Sequence, residues 1–174
     1  FKPAMVYIES IRSLPLILFL AFTHWGLMNA INQWLNRDAN FLESAIIAMV
    51  LFEAAYFAEF IRGGLRSIAQ NEQDAAISLG LSGWQRYAFV YLPLVFQRSL
   101  PALVGQCIAL IKDTSLASII GVMDLTRQGE IIYQNTFHDF EILVVTALLY
   151  FALCFPLSQW SQRLGQPDEL HVTA

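Results

Sequence analysis

The chain has 174 residues, 56% of them hydrophobic and only 14% charged, with a formal net charge of −4 and a mean hydropathy of +0.51. Ordinary soluble domains carry about 45–50% apolar and about 25% charged residues. The composition therefore argues against a soluble globule, and the net negative charge gives no basis for nucleic-acid binding. Cys107 and Cys154 stand alone inside apolar runs; they make neither a disulfide framework nor a metal spacing and are expected to pack as small apolar side chains.

The chain opens FKPAMVYIES, without an initiator Met or a signal-peptide pattern, so its numbering is expected to start inside a longer protein. A helix needs about 20 residues to cover about 30 Å of hydrocarbon, and four runs approach that length. The first, residues 14–30, has no formal charge apart from a possible one on His24, a residue expected to be hydrogen-bonded packing. The second, residues 41–60, is interrupted by Glu43, Glu53 and Glu59. Glu53 has two readings: a carboxylate lining a wet cavity, or one that is protonated or bonded to a neighbouring helix. Glu59 is expected to pair with Arg62 three residues on, in a structural or gating role. Gly63-Gly64 is expected to permit a bend where this span meets the next loop.

The loop over residues 62–98 is the most informative part of the chain. Asn71 is expected to cap a short helix with Glu72 and Asp74 in its first turn, favourable for the helix dipole. Ala75 and Ala76 would let another backbone approach closely. Gly80 suits the left-handed position that ends a helix. Ser82 with Gln85 forms a capping-box pattern opening a second helix, whose apolar stripe of Trp84, Tyr87, Ala88 and Tyr91 is expected to pack. Leu92-Pro93 is expected to end that helix, with Leu92 biased toward extended geometry. A polar helix pair in so apolar a chain points to docking and not to catalysis.

The third run, residues 100–122, is broken by Lys112-Asp113. Charges at membrane depth face a protein interior or a wet cavity, so Lys112 is either a cation near a solute path or part of an ion pair that fixes a helix break. Adjacent helical residues do not face each other. Thr114 and Ser115 either bond a ligand or satisfy backbone at the break. His138-Asp139 is expected to be an ordinary outer-loop pair. The fourth run, residues 142–162, is charge-free and of full spanning length, and the polar tail after Arg163 is expected to fray. With the 62–98 loop placed in the cytoplasm, Lys2, Arg12, Arg62, Arg66, Arg86, Arg98 and Arg163 are cytoplasmic, whereas only Arg37 and Arg127 lie outside, a strong positive-inside bias. Trp25, Trp34 and Trp160 are expected near span ends as interfacial anchors.

Asp74-Ala75-Ala76, Gly80 and Val90-Tyr91-Leu92-Pro93 fall at the spacing of the loop signature of ABC importer permeases, Glu-Ala-Ala, three residues, Gly, nine residues, Ile-x-Leu-Pro. Asp here replaces the usual Glu and Val the usual Ile. The chain also resembles the polar amino-acid permeases in Arg12-Ser13-Leu14-Pro15-Leu16, in Ala55-Tyr56-Phe57-Ala58-Glu59-Phe60-Ile61-Arg62-Gly63-Gly64 and in Lys112-Asp113-Thr114-Ser115-Leu116. These motifs lie within roughly residues 7–160. The resemblance implies an all-α membrane protein with the type I ABC importer transmembrane fold: about four visible spans of a five-span core, plus a cytoplasmic coupling helix, in the bacterial inner membrane. It implies that Asp74, Ala75, Ala76, Gly80, Leu92 and Pro93 dock on a cytoplasmic ATP-binding subunit, and that the spans rock between outward and inward access. The further partners implied are a second permease copy or paralogue and a periplasmic amino-acid-binding protein. It leaves Lys112, Asp113, Thr114, Ser115 and Glu53 as candidates for the translocation path, with Glu59 and Arg62 as a gating or structural pair. The chain has no G-x-x-x-x-G-K-[ST] phosphate loop, so no cofactor is expected on it, and ATP and Mg belong on the partner ATPase. The alternatives are a secondary transporter or channel, a permease for another small solute, or a soluble helical interaction protein.

Overall fold

The computed structural model describes residues 2–36 and 40–164, the last three as backbone only. Phe1, Arg37, the side chain of Arg163 and the tail beyond residue 164 lie outside the described residues. Within them the chain is helical: α1 (Lys2–Arg12), α2 (Leu16–Leu35), α3 (Phe41–Arg66), α4 (Gln70–Ser78), α5 (Gly83–Ile120), α6 (Leu125–Thr136) and α7 (Asp139–Leu164). Three of these, α3, α5 and α7, are long and apolar enough to cross a membrane among the described residues. The first predicted run corresponds to α2, which joins α1 at a bend of 106°; the bent pair makes a fourth crossing if taken as one span.

Local sequence explains the ends of these helices. Asn40 Oδ1 accepts from the Leu42 and Glu43 amides at 3.0 and 3.3 Å and starts α3. Asn36 closes α2 in the left-handed region at φ 57°, and the last helical residue, Leu35, lies five residues past the predicted limit. The final stretch, Asn29–Leu35, is too polar for hydropathy to detect. Trp25 consequently sits midway along α2 and is not a span-end residue, while Trp34 and Trp160 do lie near helix ends.

The core lies where α2, α3 and the last turns of α5 meet. Leu16, Leu20, Ala45, Ala48, Phe52, Ala117 and Ile120 are buried together. Small residues such as Ala45 and Ala48 allow the close backbone approach on which helix association in lipid depends. His24 is buried at this junction, with Nδ1 2.9 Å from Ser44 Oγ and its ring 5.1 Å from Phe41, as expected of a packing histidine. α7 lies against α5 and α6, yet most of its apolar surface remains exposed on the single chain.

Four local expectations are corrected. Pro93 does not end a helix: α5 runs from Gly83 through Ile120, and Leu92 is helical at φ −60° and ψ −47°. Residues Tyr87–Tyr91 form a wider π-helical turn in which the Leu92 amide donates to Tyr87 O, five residues back. Such a turn absorbs the missing amide of Pro93. The stripe from Trp84 does not enter the core: Trp84 and Tyr87 are exposed and stack on each other at 6.2 Å. Gly63-Gly64 makes no bend, because α3 continues to Arg66. The region before His138, expected to be a loop, contains α6. Asp124 Oδ1 caps this helix by accepting from the Arg127 amide at 2.8 Å, a signal that the apolar-run search passed over.

Candidate translocation and coupling site

Ala69 is the first residue before α4. It has no capping side chain, and Asn71, the expected cap, lies inside the first turn. Glu72 supplies the missing contact, its Oε2 accepting from the Ala69 amide at 2.9 Å. At the other end Gly80 takes φ +71°, and its amide donates to Ile77 O at 2.9 Å; this is the left-handed helix stop that its position in the sequence predicts. Ser82 and Gln85 then open α5 through a reciprocal capping box, with Ser82 N to Gln85 Oε1 at 2.9 Å and Gln85 N to Ser82 Oγ at 3.4 Å. Asp74 and Ala75 are exposed, whereas Ala76 is 2% exposed and turns into the chain. Only one of the two alanines is thus open to solvent. Asp74 Oδ1 accepts from Gln70 Nε2 at 3.0 Å, which holds its carboxylate in place. Leu92 and Pro93 are exposed on the first part of α5.

Arg98 ties this elbow to the spans. Its Nη2 donates to Glu72 Oε1 at 2.6 Å, and its Nη1 donates to Glu72 Oε2 at 3.1 Å and to Ser67 O at 2.7 Å. The Arg98 guanidinium, helped by the Ala69 amide, holds the Glu72 carboxyl below its ordinary value.

Above this point α3 and α5 share a seam of small and polar residues. Gly64 is buried, and a Cβ there would overlap Ser99 Oγ and lie 3.1 Å from both Val95 Cγ1 and Val95 O. Ser99 Oγ donates to Phe60 O at 3.1 Å. Seven residues farther on, Gln106 Nε2 donates to both carboxylate oxygens of Glu53, at 3.2 and 2.9 Å. Glu53 is 5% exposed, so its bond to a neighbouring helix is the one expected of a satisfied buried carboxylate. The heptad step from Ser99 through Gln106 to Asp113 keeps all three on one side of α5.

Lys112 does not join this seam. It is exposed on the α5–α7 side, where with Ile108, Tyr150, Cys154 and Ser158 it lines a groove of about 430 Å³. A 100° step per residue separates it from Asp113. The helix does not stop at this pair: its α-helical part ends at Asp113 and tighter 3₁₀ turns continue over Thr114–Ile120. Thr114 Oγ1 donates to Ile111 O at 2.6 Å, and Ser115 O accepts from Ser118 Oγ at 2.7 Å. Both contacts satisfy backbone where the winding changes.

At the Arg-rich end of α3, Glu59 pairs with Arg62 at 2.5 Å and with Arg12 at 3.5 Å. Arg62 also reaches Met5 Sδ, and Arg12 lies over the Tyr56 ring at 5.3 Å. The cluster fastens α1 to α3. Glu59, Gly63, Ser67, Arg98 and Ser99 line a cavity of about 470 Å³ beside it. His138 lies in the connection between α6 and α7, its Nδ1 3.8 Å from Glu141 Oε1. Among the described residues no cluster of metal-binding side chains occurs. Reasoning from the sequence placed Glu72 in the first turn of α4 and Arg98 in the 62–98 loop but missed their pairing, and it missed Ser99 and Gln106 altogether. Only the heptad spacing of Ser99, Gln106 and Asp113 in an apolar helix could have indicated part of this set.

Comparison with known proteins bears directly on this arrangement. The chain is 38% identical over 161 residues to the glutamine transport system permease protein GlnP of Escherichia coli, covering 92% of this chain and 72% of that protein. It is 37% identical over 162 residues to the probable glutamine ABC transporter permease protein GlnP of Bacillus subtilis, with 91% and 72% covered. It is 30% identical over 154 residues to the arginine ABC transporter permease protein ArtQ of Haemophilus influenzae, with 87% and 70% covered. The fold matches a crystal structure of an amino acid ABC transporter with histidines at a TM-score of 0.83 and 30% identity, over 92% of this chain and 73% of that one. Residues 2–168 match the family model of the binding-protein-dependent transport system inner membrane component. Since that match runs through nearly the whole chain and its apolar helices suit a bilayer, the protein belongs to this family of inner-membrane ABC permeases.

Proposed function

We propose that the chain is the permease subunit of an ATP-driven importer of polar amino acids, with its ATPase on a separate chain. One observation carries the reading: a capped, exposed elbow, α4 to the start of α5, projects Asp74 and Ala75 and is bolted to two spans through Arg98. Cytoplasmic ATP-binding subunits, holding ATP and Mg, would receive α4 in a groove. Closure of two such subunits would drive this chain and a second permease copy or paralogue between outward and inward access. A periplasmic binding protein would deliver the solute. Amino acids are favoured because the relatives are named for glutamine and arginine transport.

The solute path is assigned to the polar seam of α3 and α5. Glu53 and Asp113 would draw an ammonium group, and Thr114 and Ser115 flank them. Lys112 would attract a carboxylate from the neighbouring groove. Glu59 with Arg62 and Arg12 would hold the cytoplasmic end.

The test is reconstitution in proteoliposomes with the ATPase and binding protein. Uptake of a panel of labelled polar amino acids should require ATP inside and binding protein outside. Uptake that proceeds without the ATPase subunit would refute the proposal and favour a secondary transporter.

A further inference from the structure

Arg98 does more than neutralise a carboxylate. From its place on α5, one guanidinium grips Ser67 O at the end of α3 and both oxygens of Glu72 in the first turn of α4. Glu72 and Arg98 stand 26 residues apart in sequence, so the contact is tertiary. A two-pronged Arg–carboxylate contact constrains orientation as well as distance, which a lysine cannot do. The next residue, Ser99, bonds Phe60 O and packs on Gly64, so α3 and α5 are already locked together at this level. Without the contact, α4 would be held only by the small buried Ala76 and by the short connections 67–69 and 79–82, whose dihedrals can absorb a push before it reaches a span. The start of α5 is a poor alternative route, since Trp84, Tyr87 and Phe89 are exposed there.

We propose that Arg98 is a positioning residue for transport. With Glu72 it forms a strut that turns displacement of α4 into joint movement of α3 and α5. Those helices carry Glu53 and Gln106, the latter about 12 Å farther along α5 at 1.5 Å per residue. The proposal rests on the reading of α4 as the coupling helix and names the residue pair that makes the coupling stiff.

The experiment uses the whole transporter in proteoliposomes and reads two quantities: co-purification of the ATPase subunit, and amino acid imported per ATP hydrolysed. Arg98→Ala and Glu72→Gln should each retain the ATPase subunit while the import ratio falls about fivefold or more, the lower range of an allosteric coupling factor. Arg98→Lys should be intermediate. Arg98→Ala combined with Glu72→Gln should fall no further than Arg98→Ala alone, because the two residues act through one contact. An unchanged ratio in the single variants would overturn the strut, as would losses that simply add in the double variant. Loss of the ATPase from the single variants would also overturn it, by moving the pair into docking. A wild-type chain that binds no ATPase would instead overturn the coupling-helix reading itself.

Discussion

Replacing Gly64 by alanine should loosen the α3–α5 pair, while the same change at Gly63 should tighten the chain. Both glycines are helical, and both would gain about 0.8–1.0 kcal/mol in helix propensity as alanine. Their surroundings set the sign. At Gly63 a Cβ meets nothing within 4 Å, so the gain stands. At Gly64 the new carbon would overlap Ser99 Oγ and crowd Val95 Cγ1 and Val95 O, each at 3.1 Å. Ser99 can swing away only by giving up its bond to Phe60 O, worth about 0.5–1.5 kcal/mol. The Val95 carbonyl is backbone, so the helices must also part slightly, and overpacking of this kind costs about 1–3 kcal/mol. Subtracting the propensity gain leaves Gly64→Ala destabilised by about 1–3 kcal/mol. The two variants should therefore differ by about 2–4 kcal/mol despite adjacent positions and the same substitution. Thermal unfolding of the purified chain in detergent, followed by tryptophan fluorescence, measures this. Adding Ser99→Ala to Gly64→Ala should recover part of the loss by removing the worst overlap. Equal melting of the two single variants would refute the close-packed α3–α5 crossing.

Gly80→Val places a β-branched residue at φ +71°, a left-handed strain of about 1–2 kcal/mol; membrane abundance should hold while import per ATP falls, and an unchanged ratio would remove the turn from coupling. Glu53→Ala strips Gln106 Nε2 of both partners and should cost about 1–3 kcal/mol in the same melting assay, whereas Glu53→Gln keeps an acceptor and should melt close to wild type but import poorly. Full import by Glu53→Gln would take Glu53 off the path. Lys112→Ala should lower import with assembly intact; equal import at equal membrane abundance would make Lys112 structural. Because folding lowers the Glu72 pKa, the contribution of its pair with Arg98 is present above the ordinary value of 4.5 and is lost as pH falls through the lower folded value. A carboxyl-resolved NMR titration of Glu72 should show a midpoint below 4.5 that returns toward it in Arg98→Ala.

The chain's membrane character, the position of α4 and the glycine stop at its C-terminal end were legible in the residues, whereas its cap was not. Long apolar runs have few stable solutions in lipid, and Gly80 and the Ser82–Gln85 box act within a few residues of themselves. The same locality explains the pairing of Glu59 with Arg62. Where reading failed, residues outside the motif itself decided. Pro93 looks like a stop until the π-helical turn before it is seen. Gly64 looks like a bend until Ser99 and Val95 are brought against it. Ala75 and Ala76 look alike until one is turned inward. The amphipathic α6 is too short and polar to register as a span, although Asp124 marks its start.

By itself, the sequence determined which runs are apolar enough to suit a bilayer and the outline of the family through its ordered motifs. Hydropathy, charge placement and cap chemistry act locally and leave their mark residue by residue. Tertiary structure alone decided that Glu53 meets Gln106, that Lys112 lines a groove between α5 and α7, and that Arg98 of α5 binds the end of α3 and the first turn of α4 at one point. Those outcomes depend on helix crossing and rotation, which packing between segments far apart in the chain sets.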